Sequence, residues 1–322
     1  MIVRVKIGRV CSKLPNDRRM CKKQQTLSPG WYTLCHVSRS TSRTITIALA
    51  MVGVVVLSNP TCSGAQSFPQ LQGSVPHRSS VEAAQREFYN ARYESAARMT
   101  LETCAAELSA LAACELRTAA LLFQIRVLLA THSDKDVAWK RCATCPELLS
   151  AFKVALALGQ TAARARLLEH PTDDETLFLL GKLDLNYVWL QLGTLGHKTG
   201  WDEYWEARKS LDTVLERQPA HVRARVARGW IDYIVATKMP RGTRWLLGGG
   251  SRKKGLQAIR EAAGADADFF TRTEARFALW DMQVRERDTP GAITTADLLI
   301  RDFPDNQELK RFIGIHRPSG GG

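Results

Sequence analysis

Between residues 79 and 312 apolar side chains return every three or four positions, as in Leu177, Leu180, Leu183, Leu185, Val188 and Trp189. That spacing lays them along one side of a 3.6-residue helix. No stretch sustains the two-residue alternation of a half-buried strand, and Asn-Gly hairpin turns are missing. The pattern therefore predicts an all-α chain. Capping boxes set the expected helix starts at Ser79-x-x-Glu82, Thr172-x-x-Glu175 and Thr271-x-x-Glu274. Residues 66–78 hold two prolines and read as a linker, 79–312 as one helical domain, and 313–322 as a flexible tail.

The helices repeat in pairs. Ala207 is followed four residues on by Leu211 and then by Pro219, while Ala292 is followed by Ala296 and Pro304 at the same offsets. Small residues let two helices approach, and a proline stops the pair before the next begins. Leu180-Gly181, Arg228-Gly229 and the join Phe88, Tyr89, Tyr93, Ala96 supply the matching first-helix features. On these residues the chain resembles tetratricopeptide-repeat (TPR) proteins over about 80–312, most closely at 201–219 and 289–306 and least at 112–168. The resemblance implies a right-handed array of antiparallel helix pairs, a TPR-like α-solenoid. It also implies a surface that holds a partner segment. Exported repeat proteins of Gram-negative envelopes are similar in layout. Two segments depart from the repeat, 193–200 and 238–255, and are expected as loop insertions.

The formal charge of +13 suggests nucleic acid until its position is considered. Residues 1–44 carry ten cations and one acid, so the rest of the chain is near balance and the nucleic-acid reading falls away. Residues 45–57, ITIALAMVGVVVL, form an uncharged run behind Arg39 and Arg43, followed by small residues Ser63 and Ala65. A helix of that run covers roughly 20 Å, short of the ~30 Å bilayer core. A basic flank, a short apolar run and a small-x-small site predict a secretory signal cut after Ala65, and hence a periplasmic protein. A signal anchor, or a lipid anchor on Cys62, is the alternative.

Four cysteines follow the cleavage site: Cys104, Cys114, Cys142 and Cys145. In an exported chain an even number favours disulfides, most simply Cys104–Cys114 and Cys142–Cys145. A thioredoxin-like redox pair lacks its βαβ setting, and a zinc knuckle needs closer spacing than Cys104 and Cys114 offer.

Residues 238–255 gather Lys238, Arg241, Arg244, Arg252, Lys253 and Lys254 around Trp245, Leu246, Leu247 and three successive glycines, with no acid. Such a loop could offer backbone N–H groups and cations to an anion, with Trp245 as a stacking surface. Arg241, Arg244, Trp245, Arg252, Lys253 and Lys254 are the candidate ligand or partner residues. The alternative is a solvated connector. Gly-Lys-Ser/Thr at P-loop spacing is missing. Trp201 and Trp205, four apart, are expected in the core rather than on a ligand platform. Asp173-Asp174-Glu175 reads as helix capping. The histidines show no HxxxH or HExxH, and no GxSxG occurs, so no catalytic, metal or cofactor residues are expected. The expected function is non-catalytic binding of a protein or peptide in the cell envelope. The alternatives are an accessory protein of a transporter, holding an anionic solute at the 238–255 loop, and an envelope enzyme of unrecognised type.

Overall fold

The computed structural model describes residues 75–106, 110–130 and 134–317, which contain helices and no strand. The expected signal, its cleavage site and residues 66–74 of the expected linker lie outside them. Helix α1 (Val75–Tyr89) begins inside that linker, so Ser79 stands within a helix rather than capping one. After it come α2 (Tyr93–Met99), α3 (Leu101–Ala106) and α4 (Leu111–Leu129). Next are α5 (Lys135–Arg141), α6 (Cys145–Glu169) and α7 (Asp174–Val188), which widens into a π-helical turn, Trp189–Leu195. The second half comprises α8 (Trp201–Arg217), α9 (Val222–Lys238), a 3-10 segment (Arg241–Leu247), α10 (Arg252–Ala263), α11 (Phe269–Glu286), α12 (Thr289–Asp302) and α13 (Gln307–His316). Residues 313–316, expected in a flexible tail, complete α13: Ile313 is buried there, and Arg317 pairs with Asp297 at 2.6 Å.

Helices α7 and α11 are capped by acids, one position after and three before the expected residues. Asp173 accepts from the Thr176 N–H to start α7, and Asp268 accepts from Phe270 and Thr271 to start α11. Thr172 and Thr271 are therefore not the caps, although the acidic reading of Asp173 holds. The ends follow the sequence closely, because α8 stops at Gln218 before Pro219 and α12 at Phe303 before Pro304.

Four apolar clusters succeed one another along the chain, each formed by neighbouring helices. The repeat positions Ala207, Leu211, Ala292 and Ala296 are all fully buried. A fully buried leucine contributes ~2 kcal/mol or more, while the alanines contribute mainly by letting helices close up. Helices α9 and α10 pack closely, and a Cβ on Gly255 would lie 2.5 Å from the Gly229 carbonyl oxygen. Both expected disulfides are present, Cys104–Cys114 and Cys142–Cys145.

The two ends of the helical array touch. The tight turn after α1, with Ala91 at φ 61°, brings Tyr89 against Phe277 and Phe303 at centroid distances of 5.1 and 5.5 Å. The Asn306 amide donates to the Tyr89 carbonyl at 2.7 Å, and Arg92 pairs with Asp305 at 2.9 Å. An open solenoid leaves its first and last repeats apart; here the first hairpin is fastened to the last helices.

Candidate functional site

The basic insertion folds as a turn that uses part of its hydrogen-bonding capacity internally. After Pro240, residues Arg241–Leu247 wind into the 3-10 segment, and Gly248 and Gly249 take left-handed angles, φ 71° and 73°. Their N–H groups are spent on the Trp245 and Arg244 carbonyls. The carbonyls of Leu247 and Gly248 accept from Arg208 at 3.0 and 2.8 Å. The glycine turn thus receives a cation of the protein itself and presents no N–H cradle to a phosphate.

The six candidate residues are dispersed around this turn. Arg244 donates to the Met239 carbonyl at 3.1 Å. Arg252 makes a two-pronged pair with Glu286, which also accepts from Tyr233 at 2.7 Å. Arg241, Lys253 and Lys254 are exposed, and Ser251 caps α10 through the Lys254 N–H. Trp245 is 72% exposed and Leu246 53%. The segment is a structured connector with an aromatic tip.

Trp201 and Trp205 were expected in the core but are 38% and 44% exposed. Their shared spacing places them on the same face of α8, and that face looks outward. Tyr204 between them is buried and meets both rings edge-on, at 6.4 and 5.3 Å. Its hydroxyl donates to the Leu247 carbonyl at 2.8 Å, which ties the 3-10 segment to α8. Three exposed indoles and Leu246 therefore stand on two elements joined by a buried hydrogen bond.

A second grouping escaped the sequence reading. Glu115 on α4, Lys182 on α7, Arg223 on α9 and Glu274 on α11 converge at the centre. Lys182 and Arg223 each reach Glu274 at 2.6 Å and Glu115 at 3.6 and 3.7 Å. Glu274, expected as a capping residue, lies in the second turn of α11. Burial alone would raise its pKa, but Lys182 and Arg223 together hold it well below the usual carboxylate range. The Tyr89 hydroxyl is pushed up by burial and by the Glu274 charge. Two cations and two carboxylates satisfy one another, so the group is suited to fastening helices. The available signal was Lys182 itself, a lone cation in the apolar run LFLLGKLDL.

Asp184, two residues on, is fully buried and accepts from Gln160 at 2.6 Å, while its Oδ2 meets no donor. Burial, then the charge of Glu206, raises its pKa to about 8. Among the described residues no cluster of His, Cys, Asp or Glu is placed to hold a metal ion. No single described helix is long and apolar enough to cross a membrane, although α5 and α6 pass that test together, bent by 98°.

No protein-family model, curated protein or solved structure matches the chain. The class that the fold defines is an all-α protein of successive helix pairs, fastened by two disulfides.

Proposed function

We propose that the protein is a non-catalytic, TPR-like helical-repeat protein of the periplasm or cell envelope, which acts by holding a protein partner. The observation that carries this reading is the exposure of Trp201 and Trp205 on α8 and of Trp245 and Leu246 on the 3-10 segment, two elements joined by the Tyr204–Leu247 hydrogen bond. Tryptophans are enriched where interfaces concentrate their binding energy, because one ring removes a large apolar area from water at little entropy cost. Arg241, Lys253 and Lys254 are exposed and pair with no carboxylate among the described residues, which favours a partner segment that is acidic with an apolar anchor. The disulfides and the signal-like leader support an oxidising compartment.

This reading shifts the contact surface away from the TPR interior, where Tyr89 and the charged group occupy the space between helices. The test is capture of envelope proteins on the purified chain, with Trp201→Ala/Trp205→Ala and Trp245→Ala as comparators. A specific acidic partner retained by wild type and lost with both variants supports the proposal. Retention by both variants, or turnover of a cell-wall or peptide substrate by the pure protein, overturns it.

A further inference from the structure

A groove of about 360 Å³ opens between α3, α4 and α6, on elements that take no part in the aromatic face. Its size falls at the lower end of small-molecule sites. Leu101, Val154 and Leu158 line it and stay 47%, 58% and 42% exposed, so no described residue covers these apolar walls. The Cys104–Cys114 disulfide fixes α3 against α4 at its edge.

Arg117 reaches the same groove from α4. One of its N–H groups donates to the Ala97 carbonyl near the end of α2. Arg164, Arg223, Arg228 and Arg252 all meet carboxylates, whereas no carboxylate among the described residues pairs with Arg117. Glu147 lines the groove too, but it is exposed and forms no ion pair with Arg117. A guanidinium has five N–H donors, and burial has stripped this one of part of its hydration, which lowers its pKa. An anion arriving at Arg117 therefore forms charge-assisted hydrogen bonds with N–H groups other than the one given to the Ala97 carbonyl.

We propose that this groove is a binding site for a small carboxylate with a single apolar tail, such as a fatty acid. The carboxylate sits on Arg117, and the tail lies along Leu101, Val154 and Leu158. A fully polar anion leaves those walls in water, and a neutral lipid leaves the cation without a counter-charge. Only a molecule with both parts answers both features. The inference is independent of the partner reading, since it uses none of the same residues.

Calorimetric titration of the full chain with dodecanoate, below its micelle concentration and at neutral pH, tests the site. One saturable site is expected, weakened at least tenfold in Arg117→Gln. Val154→Glu, a change on an exposed helix position, is expected to weaken it as much while leaving helical content and melting temperature unaltered. If Arg117→Gln fails to fold, Val154→Glu carries the test. Dodecyltrimethylammonium, with the same tail and opposite charge, is expected not to bind. The proposal fails if dodecanoate does not bind, if both folded variants bind it like wild type, or if the cationic analogue binds equally. It also fails if a tri-leucine peptide with a free C-terminus binds more tightly than dodecanoate, which would make the groove a site for peptide ends.

Discussion

Asp184 gives the sharpest test of the packing. Its carboxyl is fully buried among α6, α7 and α8, with Gln160 donating to one oxygen and nothing donating to the other. Burial and the nearby Glu206 raise its pKa to about 8, so below that pH the folded chain keeps a proton there. An unfolded aspartate releases the same proton near pH ~4. Between these limits the folded state binds more protons than the unfolded state, so this group's contribution to stability falls as pH rises. Asparagine keeps the acceptor for Gln160 and cannot ionise. The stability advantage of Asp184→Asn over wild type should therefore widen between pH 5 and 8 by about 4 kcal/mol, at ~1.4 kcal/mol per pH unit. In a domain of this size that corresponds to roughly 10 °C in melting temperature. Thermal unfolding of both proteins at pH 5, 6, 7 and 8, followed by circular dichroism, reads the difference directly. Comparing the two proteins cancels the titrating groups remote from Asp184, while Glu206, which faces it, responds to the same substitution. A gap that stays constant, or narrows, over this range refutes the assignment of a protonated buried carboxyl.

Three further expectations concern the scaffold. Glu274→Gln leaves Lys182 and Arg223 facing Glu115 with one carboxylate missing, and should cost about 3–5 kcal/mol in urea unfolding; a loss below ~1 kcal/mol would show that water already screens the group. Gly255→Ala puts a methyl 2.5 Å from the Gly229 carbonyl, so α9 and α10 must separate, at a cost of about 1–3 kcal/mol. Unchanged stability there would mean that the helices close less tightly than described. Cys104→Ser/Cys114→Ser opens a loop with a sequence separation of 10 and should cost about 2–3 kcal/mol, read from the melting temperature; no change would mean that the bridge does not form in the folded protein.

What was legible in the sequence is what depends on near neighbours in the chain. The helical period, the proline stops after α8 and α12, the buried Ala207, Leu211, Ala292 and Ala296, and the two cysteine pairs all follow from short spacings. The misreadings share a different cause. An i, i+4 pair such as Trp201 and Trp205 shows that two rings share a face, but which face is covered depends on helices elsewhere. Consecutive polar residues such as Thr172 and Asp173 compete for the same capping role, and the backbone path decides between them. In the run of cations 238–255 the sequence does not show which are paired within the chain, as Arg252 is with Glu286 and Arg244 with the Met239 carbonyl. The central charge group lay furthest from view, since its four residues come from four helices and charged residues ordinarily face water.

Its signal was nonetheless present in α7, where Lys182 and Asp184 interrupt a largely apolar run on opposite sides of the helix. A charge in such a place is costly unless a partner meets it, so each predicts a counterpart at long range. The structure supplies two different answers. Lys182 finds opposite charge on α4 and α11, whereas Asp184 is expected to give up its charge and keep a proton. Arg117 is a third such residue, partly buried with a carbonyl for a partner and no carboxylate. At the proposed site its counterpart is the carboxylate of the ligand, and Leu101, Val154 and Leu158 beside it face the ligand's apolar tail.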